Sequence, residues 1–239
     1  MTADLPAVLA TPGTTAIIEA RDLVKSFGET PALRGASLSV RPGEIVAVMG
    51  PSGSGKSTLL HCLAGILVPD QGQVWFGGQR LDSLGDDRRS ALRRDRFGFV
   101  FQSSQLVPEL TAEENVALPL LLSGTRRGPA RSAARRWFGL LGLDGLEQRR
   151  SGELSGGQAQ RVALARGLVA GPEVLFADEP TGSLDSVSGE LVLDLLTAAV
   201  REHGTTVVLV THDAQVAAYA DREVIVRDGQ VGTLTGVQP

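Results

Sequence analysis

Short apolar runs set between Gly and Pro mark out the first elements of this chain. From Ile17 to Phe27 and from Leu33 to Val40, β-branched and apolar residues predict short strands. Ile45-Val46-Ala47-Val48-Met49 is a nearly unbroken apolar run, the pattern of a strand covered on both faces. Gly50 to Gly55 breaks it, and Lys56 to Ile66 reads as a helix. Further strands are expected at Phe97 to Phe101, Val174 to Ala177 and Thr206 to Val210, with helices at Ser155 to Val169 and Gly189 to Arg201. Near the end, Glu223 to Val226 and Gln230 to Leu234 flank Asp228-Gly229, a hairpin signal.

Between about Leu106 and Glu153 the texture changes. Leu, Ala and Arg dominate, and Glu113 to Leu122 and Pro129 to Leu141 read as helices, the first disturbed by Pro119. Residues 106–153 are therefore expected to form an inserted helical lobe. Residues 1–15, with Pro6, Pro12 and Gly13, read as a loose leader. The alternation elsewhere predicts an α/β core.

Gly50-Pro51-Ser52-Gly53-Ser54-Gly55-Lys56-Ser57 carries the first clear chemistry. Glycines let a backbone curl so that several N–H groups converge on phosphate oxygens, and the helix that follows turns its positive dipole end toward the same anion. Lys56 is placed to reach the β- and γ-phosphates, and the Ser57 hydroxyl to complete a magnesium shell. Strand, loop and helix in that order are the setting such a loop needs, which sets aside a chance glycine-rich turn.

Other positions admit two readings each. Asp178 and Glu179 end the apolar run Val174 to Ala177. They either lie in a solvated loop or supply a magnesium-water acceptor and a general base, and the phosphate loop favours the second reading. His212 either caps a turn or faces a γ-phosphate, and Gln102 either opens a loop or bridges metal and water. Leu154-Ser155-Gly156-Gly157-Gln158 opens a helix as an exposed anion cradle or as a plain surface cap. One nucleotide needs one cradle, so the second makes sense when it closes over a nucleotide held by another copy.

The bulk composition narrows the class. A hydrophobic fraction of 42% among 239 residues supports a packed core. The formal net charge of -4 argues against coating nucleic acid, so no nucleic acid partner is expected. The single cysteine, Cys62, excludes an internal disulfide and reads as a buried, inert thiol. No run reaches the roughly 18 apolar residues of a membrane span, and no signal segment opens the chain, so a cytoplasmic protein is expected. The arginines at 93, 94, 96, 126, 127, 131, 135 and 136 read mostly as a solvated face.

As an ordered set, these motifs resemble the nucleotide-binding subunit of an ATP-binding cassette transporter, from about Ile17 to Leu234. The resemblance implies a P-loop NTPase core with an N-terminal antiparallel β subdomain, filling residues 16–239 around the helical lobe. Gly50 to Thr58 then matches the Walker A loop, Gln102 the Q-loop glutamine, and Leu154 to Gln158 the signature motif. Asp178 matches the end of the Walker B strand, Glu179 the catalytic base, Ser183-Leu184-Asp185 the D-loop, and His212 the switch histidine. Phe27 stands where the family places an aromatic that stacks on adenine. The family works with ATP and magnesium as a head-to-tail dimer, most simply a homodimer, and sits on the inner face of the membrane through an integral permease subunit. Phe101-Gln102, the stretch Leu110 to Val116, and Asp178 to Ser186 look like the lipoprotein-release and macrolide-export branch, although that branch often has asparagine where Ser183 stands. The rival reading, a soluble ATPase associated with nucleic acid, commonly carries paired cassettes or a long coiled coil, and neither is seen here. Cargo is left open.

Overall fold

The computed structural model describes residues 16–233; the expected leader and Leu234 lie outside them. In chain order the elements are β1 (Ile18–Phe27), β2 (Thr30–Val40), β3 (Ile45–Met49), α1 (Lys56–Leu63), β4 (Gln71–Phe76), β5 (Gln79–Arg80), α2 (Asp86–Arg96) and β6 (Phe97–Phe101). There follow α3 (Ala112–Leu122), α4 (Arg127–Leu140), α5 (Gly156–Leu168), β7 (Val174–Asp178), α6 (Ser186–His203), β8 (Thr206–Val210), α7 (Ala214–Ala217), β9 (Arg222–Arg227) and β10 (Gln230–Thr233).

Two sheets result. The larger has the order β10-β9-β3-β8-β7-β6, with parallel pairing from β9 through β6 and an antiparallel edge at β10. The smaller is antiparallel, β2-β1-β4-β5. The unbroken apolar runs are explained by two cores, one on each face of the large sheet. Along β8, Val207 and Leu209 face one core while Val208 and Val210 face the other; Leu175 and Ala177 alternate in the same way with Val174 and Phe176 along β7. A period of two thus feeds both cores, and the only polar positions in these two strands are at their ends, Thr206 and Asp178.

The first core joins the sheet to α3, α4 and α5 through Val116, Phe138, Val162 and Leu164, all fully buried. The second joins it to α1 and the small sheet through Leu59, Leu63, Ile18, Val74 and Phe76. Phe97 ties the layers edge-on, 4.8 Å from Phe76 and 5.2 Å from Phe176 between ring centroids. Each such side chain contributes about 1.5–3 kcal/mol by leaving water. Cys62 is buried in this second core, and burial pushes its thiol up to about 12, as an inert thiol requires.

The hairpin at Asp228-Gly229 forms as expected, with φ of 51° and 75° at the two turn residues. It leans on the phosphate loop: Gly229 N–H donates to Ser54 O at 3.0 Å. Pro119 does not end its helix. α3 runs through it to Leu122; Thr111 and Glu114 close a capping box at its start, Asn115 ties it to Val107 and Leu110, and beyond the proline Ser123 N–H donates to Pro119 O at 3.0 Å.

Candidate nucleotide site

The loop between β3 and α1 has the tight curl its glycines allow. Gly50 and Gly55 have φ of 145° and 106°. A Cβ would come within 2.1 Å of Val226 O at the first and 2.4 Å of Ala32 O at the second, so no side chain fits at either. Lys56 at the head of α1 is buried, and its ammonium donates to Gly50 O and Pro51 O, at 2.9 Å each. The charge therefore arches over the loop. Ser54 Oγ is buried there without a protein partner, an orphaned donor that a phosphate oxygen would satisfy.

The loop opens into a cleft of about 590 Å³ lined by Phe27, Ala32, Pro51, Ser52, Gly53, Gly55, Lys56, Ser57, Thr58, Glu179 and His212. Phe27 is half exposed at one end, with Lys25 Nζ 6.0 Å from its ring centre. Lys25 is in turn held by Asp70, whose carboxyl lies below its ordinary range through the Lys25 bond and the Ser26 N–H. Ala32 was not legible as a site residue, since a lone alanine in a strand carries no signal.

At the other end the strand tips converge. Ser57 Oγ donates to Asp178 Oδ1 at 3.3 Å. Burial pushes the Asp178 carboxyl above its ordinary value, and the Ser57 bond opposes this. Glu179 follows with φ of 47°, a left-handed backbone that costs a non-glycine residue about 1–2 kcal/mol. Its N–H is anchored to Val210 O at 2.8 Å, and its Oε1 accepts from His212 Nδ1 at 2.9 Å. Gln102 lies across from it. A Cβ on Gly182 would come within 2.9 Å of Gln102 Nε2 and 3.2 Å of Glu179 Oε2, so the missing side chain leaves room for amide and carboxylate side by side.

Magnesium fits this donor set. A hydroxyl, a carboxylate and an amide oxygen are hard ligands, and the ion characteristically takes few protein groups and completes its shell with phosphate and water.

Ser155, Gly156, Gly157 and Gln158 stand apart from the cleft. Ser155 Oγ accepts from Gln158 N at 3.2 Å, and Gln158 Oε1 accepts from Ser155 N at 2.9 Å, a reciprocal cap on α5. Asp185 likewise caps α6 through the Ser188 N–H and hydroxyl, which hold its carboxyl below the ordinary range. It lines a different groove, with Thr181, Glu190 and Tyr219.

A family profile described as ABC transporter matches residues 33–182. The chain belongs to the ABC transporter family. It is an ATP-binding and ATP-hydrolysing subunit that drives a membrane permease, in the lipoprotein-release and macrolide-export branch. It is 46% identical over 226 residues to the macrolide export ATP-binding/permease protein MacB of Marinobacter nauticus, covering 93% of this chain and 35% of that protein. It is 43% identical to the lipoprotein-releasing system ATP-binding protein LolD of Geobacter metallireducens, covering 91% and 98%. The chain thus spans about a third of the first relative's length and nearly all of the second's. Among solved structures, the dimeric bacterial ABC transporter cassette MJ0796 superposes with a TM-score of 0.84 at 39% identity, covering 92% of this chain and 99% of that one. The same cassette in a post-hydrolysis dimer bound to ADP and Pi gives 0.83 at 38%, with the same coverage.

Proposed function

We propose that two copies of this chain dock head to tail and clasp two ATP molecules, each between the Lys56 loop of one copy and the Ser155–Gly157 helix tip of the other. One observation carries this reading: the cleft holds the lysine loop, the carboxylate and the histidine, while the second anion cradle, exposed at Ser155 and Gly156, is not part of its lining. That the MJ0796 cassette is dimeric supports two copies coming together.

Phe27 stacks on adenine, and the loop amides with Lys56 and Ser54 hold the phosphates. Ser57, Gln102 and, through water, Asp178 would hold magnesium, which would supply positive charge beside the phosphates. Glu179 accepts a proton from the water that attacks the γ-phosphorus. The new bond forms from that water oxygen as the bond to the β-phosphate oxygen breaks, leaving ADP and phosphate. His212 fixes the Glu179 carboxylate through Nδ1 and keeps its second nitrogen for the γ-phosphate. Asp185 organises the turn that meets the partner copy.

The work is passed to the permease. Residues 106–153 act as the moving lobe within a cassette of residues 16–239. A groove of about 420 Å³ beside it, lined by Ile66, Phe99, Phe101, Leu118, Pro119 and Leu122 among others, suits an apolar cytoplasmic helix of the permease. No described helix is long and apolar enough to cross a membrane, and the chain works on the cytoplasmic face through that partner. The cargo is left open between a lipoprotein, a peptide, a drug and a mechanical signal without cargo; relatives named for lipoprotein release and macrolide export support the lipoprotein and the drug. The test is turnover by Glu179→Gln with magnesium-ATP: ATP binding persists and hydrolysis is lost, whereas undiminished turnover overturns the assignment.

A further inference from the structure

Gln160 is a polar side chain buried to 1% exposure in a helix otherwise packed by Val162, Ala163, Leu164 and Ala165. Its amide Nε2 donates to Phe101 O at 2.8 Å and to Pro180 O at 2.6 Å. An amide nitrogen carries two protons, and both are used. Phe101 is the last residue of β6 and directly precedes Gln102; Pro180 directly follows Glu179. The ladder between these neighbouring strands ends at the pair Phe101–Asp178. Beyond it the two chains part toward different loops, and one side chain from α5 holds both.

We infer that Gln160 is a positioning residue for ATP hydrolysis, setting the separation and orientation of Gln102 and Glu179 by gripping the backbone beside each. This rests on the proposed roles of those two residues. Three features support it. The left-handed backbone at Glu179 needs tethers on both sides, and Val210 O supplies one while Gln160 supplies the other at the next carbonyl. Gln102 is likewise tethered on both sides, since its own carbonyl accepts from Ser183 Oγ at 2.8 Å. The helix also approaches β6 closely enough for this grip: a Cβ on Gly98 would come within 2.1 Å of Gly167 O. Because α5 begins at the Ser155 cap, the helix tip offered to the second copy and the two loops beside the attacking water share one rigid support. A displacement of about 1 Å in such a site can cost on the order of a hundredfold in rate.

The test is Gln160→Met in the full chain, a swap of similar volume and unbranched shape that removes both donors. Its kcat should fall at least tenfold while its KM and affinity for ATP stay within about twofold, because Phe27, Lys56 and the loop are untouched. A kcat within twofold of wild type overturns the inference, as does a loss of ATP affinity equal to the loss of rate. Gln160→Glu supplies a second readout should the first variant fail to fold. Ionised, its carboxylate sets acceptors against two carbonyls; protonated, it returns one donor, and burial favours that form. Its deficit should therefore shrink as pH falls from 8 to 6, with wild type measured at each pH to cancel Asp178, Glu179 and His212. A deficit that does not change with pH contradicts the inference. Glu179→Gln is run in parallel: if it still turns over, the site assignment itself has failed, whereas its inactivity beside a fully active Gln160→Met isolates the failure to Gln160.

Discussion

The imidazole Nδ1 of His212, at the exposed end of β8, lies 2.9 Å from Oε1 of Glu179, which sits past the end of the adjacent strand β7. The side chain of Glu179 is largely covered, that of His212 mostly open. Histidine therefore steers the carboxylate from the solvent side without closing over it. Removing the imidazole leaves the carboxylate in place but free to turn. His212→Ala should cut kcat by roughly 10²-fold, the scale for losing one positioned charge-stabilising group. Binding of a fluorescent ATP analogue should be nearly unchanged. Steady-state turnover alongside equilibrium titration separates the two.

The phosphate loop offers a steric contrast. A Cβ at Gly53 meets nothing within 4 Å, whereas at Gly55 it meets Ala32 O at 2.4 Å. Both have positive φ. Gly53→Ala should cost only the left-handed penalty of about 1–2 kcal/mol. Gly55→Ala must also push the β2 backbone away and should melt clearly lower. Thermal unfolding without nucleotide ranks the two, and equal melting temperatures would refute the steric account.

Glu113 is fully buried between α3 and α4, accepting from Arg131 and Arg135 at 2.7 Å each and from Gln148 at 3.1 Å. The Arg131 bond holds its carboxyl below the ordinary value, against the opposing effect of burial. A depressed carboxylate stabilises the fold above its unfolded pKa of about 4.3 and loses that contribution as pH falls through the lower folded value. Acid should thus loosen this helix pair only below that range. Glu113→Ala leaves arginines that are half exposed and can rehydrate, so the cost is about 2 kcal/mol, nearer a lost charged hydrogen bond than a stranded buried ion. For a chain of this size that lowers the melting temperature by roughly 4–8 °C. It should also remove the acid sensitivity in hydrogen exchange of α3 and α4.

Much of the fold was legible because β3 and β6 are apolar throughout and β8 is apolar after Thr206, and their ends coincide with the expected ones. The segment 67–96 gave no such pattern. α2 has no fully buried residue: Leu92 packs only partly buried on the second core, and acids at the start (Asp86, Asp87) and bases at the end (Arg93, Arg94, Arg96) complement the helix dipole. β4 opens with Gln-Gly-Gln and lies between β1 and the two-residue β5, with only Val74 and Phe76 fully buried. The cleft residues were found because a phosphate loop has a local grammar of glycine, lysine and serine. Gln160 and Glu113 were not singled out, since a glutamine or a glutamate on a helix reads as surface until tertiary packing brings carbonyls or arginines to it. Part of the arginine face was misjudged for the same reason: Arg131 and Arg135 grip a buried carboxylate, and Arg93 bonds Gly65 O.

The shared clasp is tested most directly by the solution mass of Glu179→Gln with ATP, read by light scattering on a sizing column. The account predicts twice the mass of one chain with ATP, one chain without it, and a return to one chain when Ser155→Arg is added, with ATP affinity for the open cleft retained. A Glu179→Gln chain that stays single at saturating ATP, or a doubled mass that Ser155→Arg leaves intact, would contradict it.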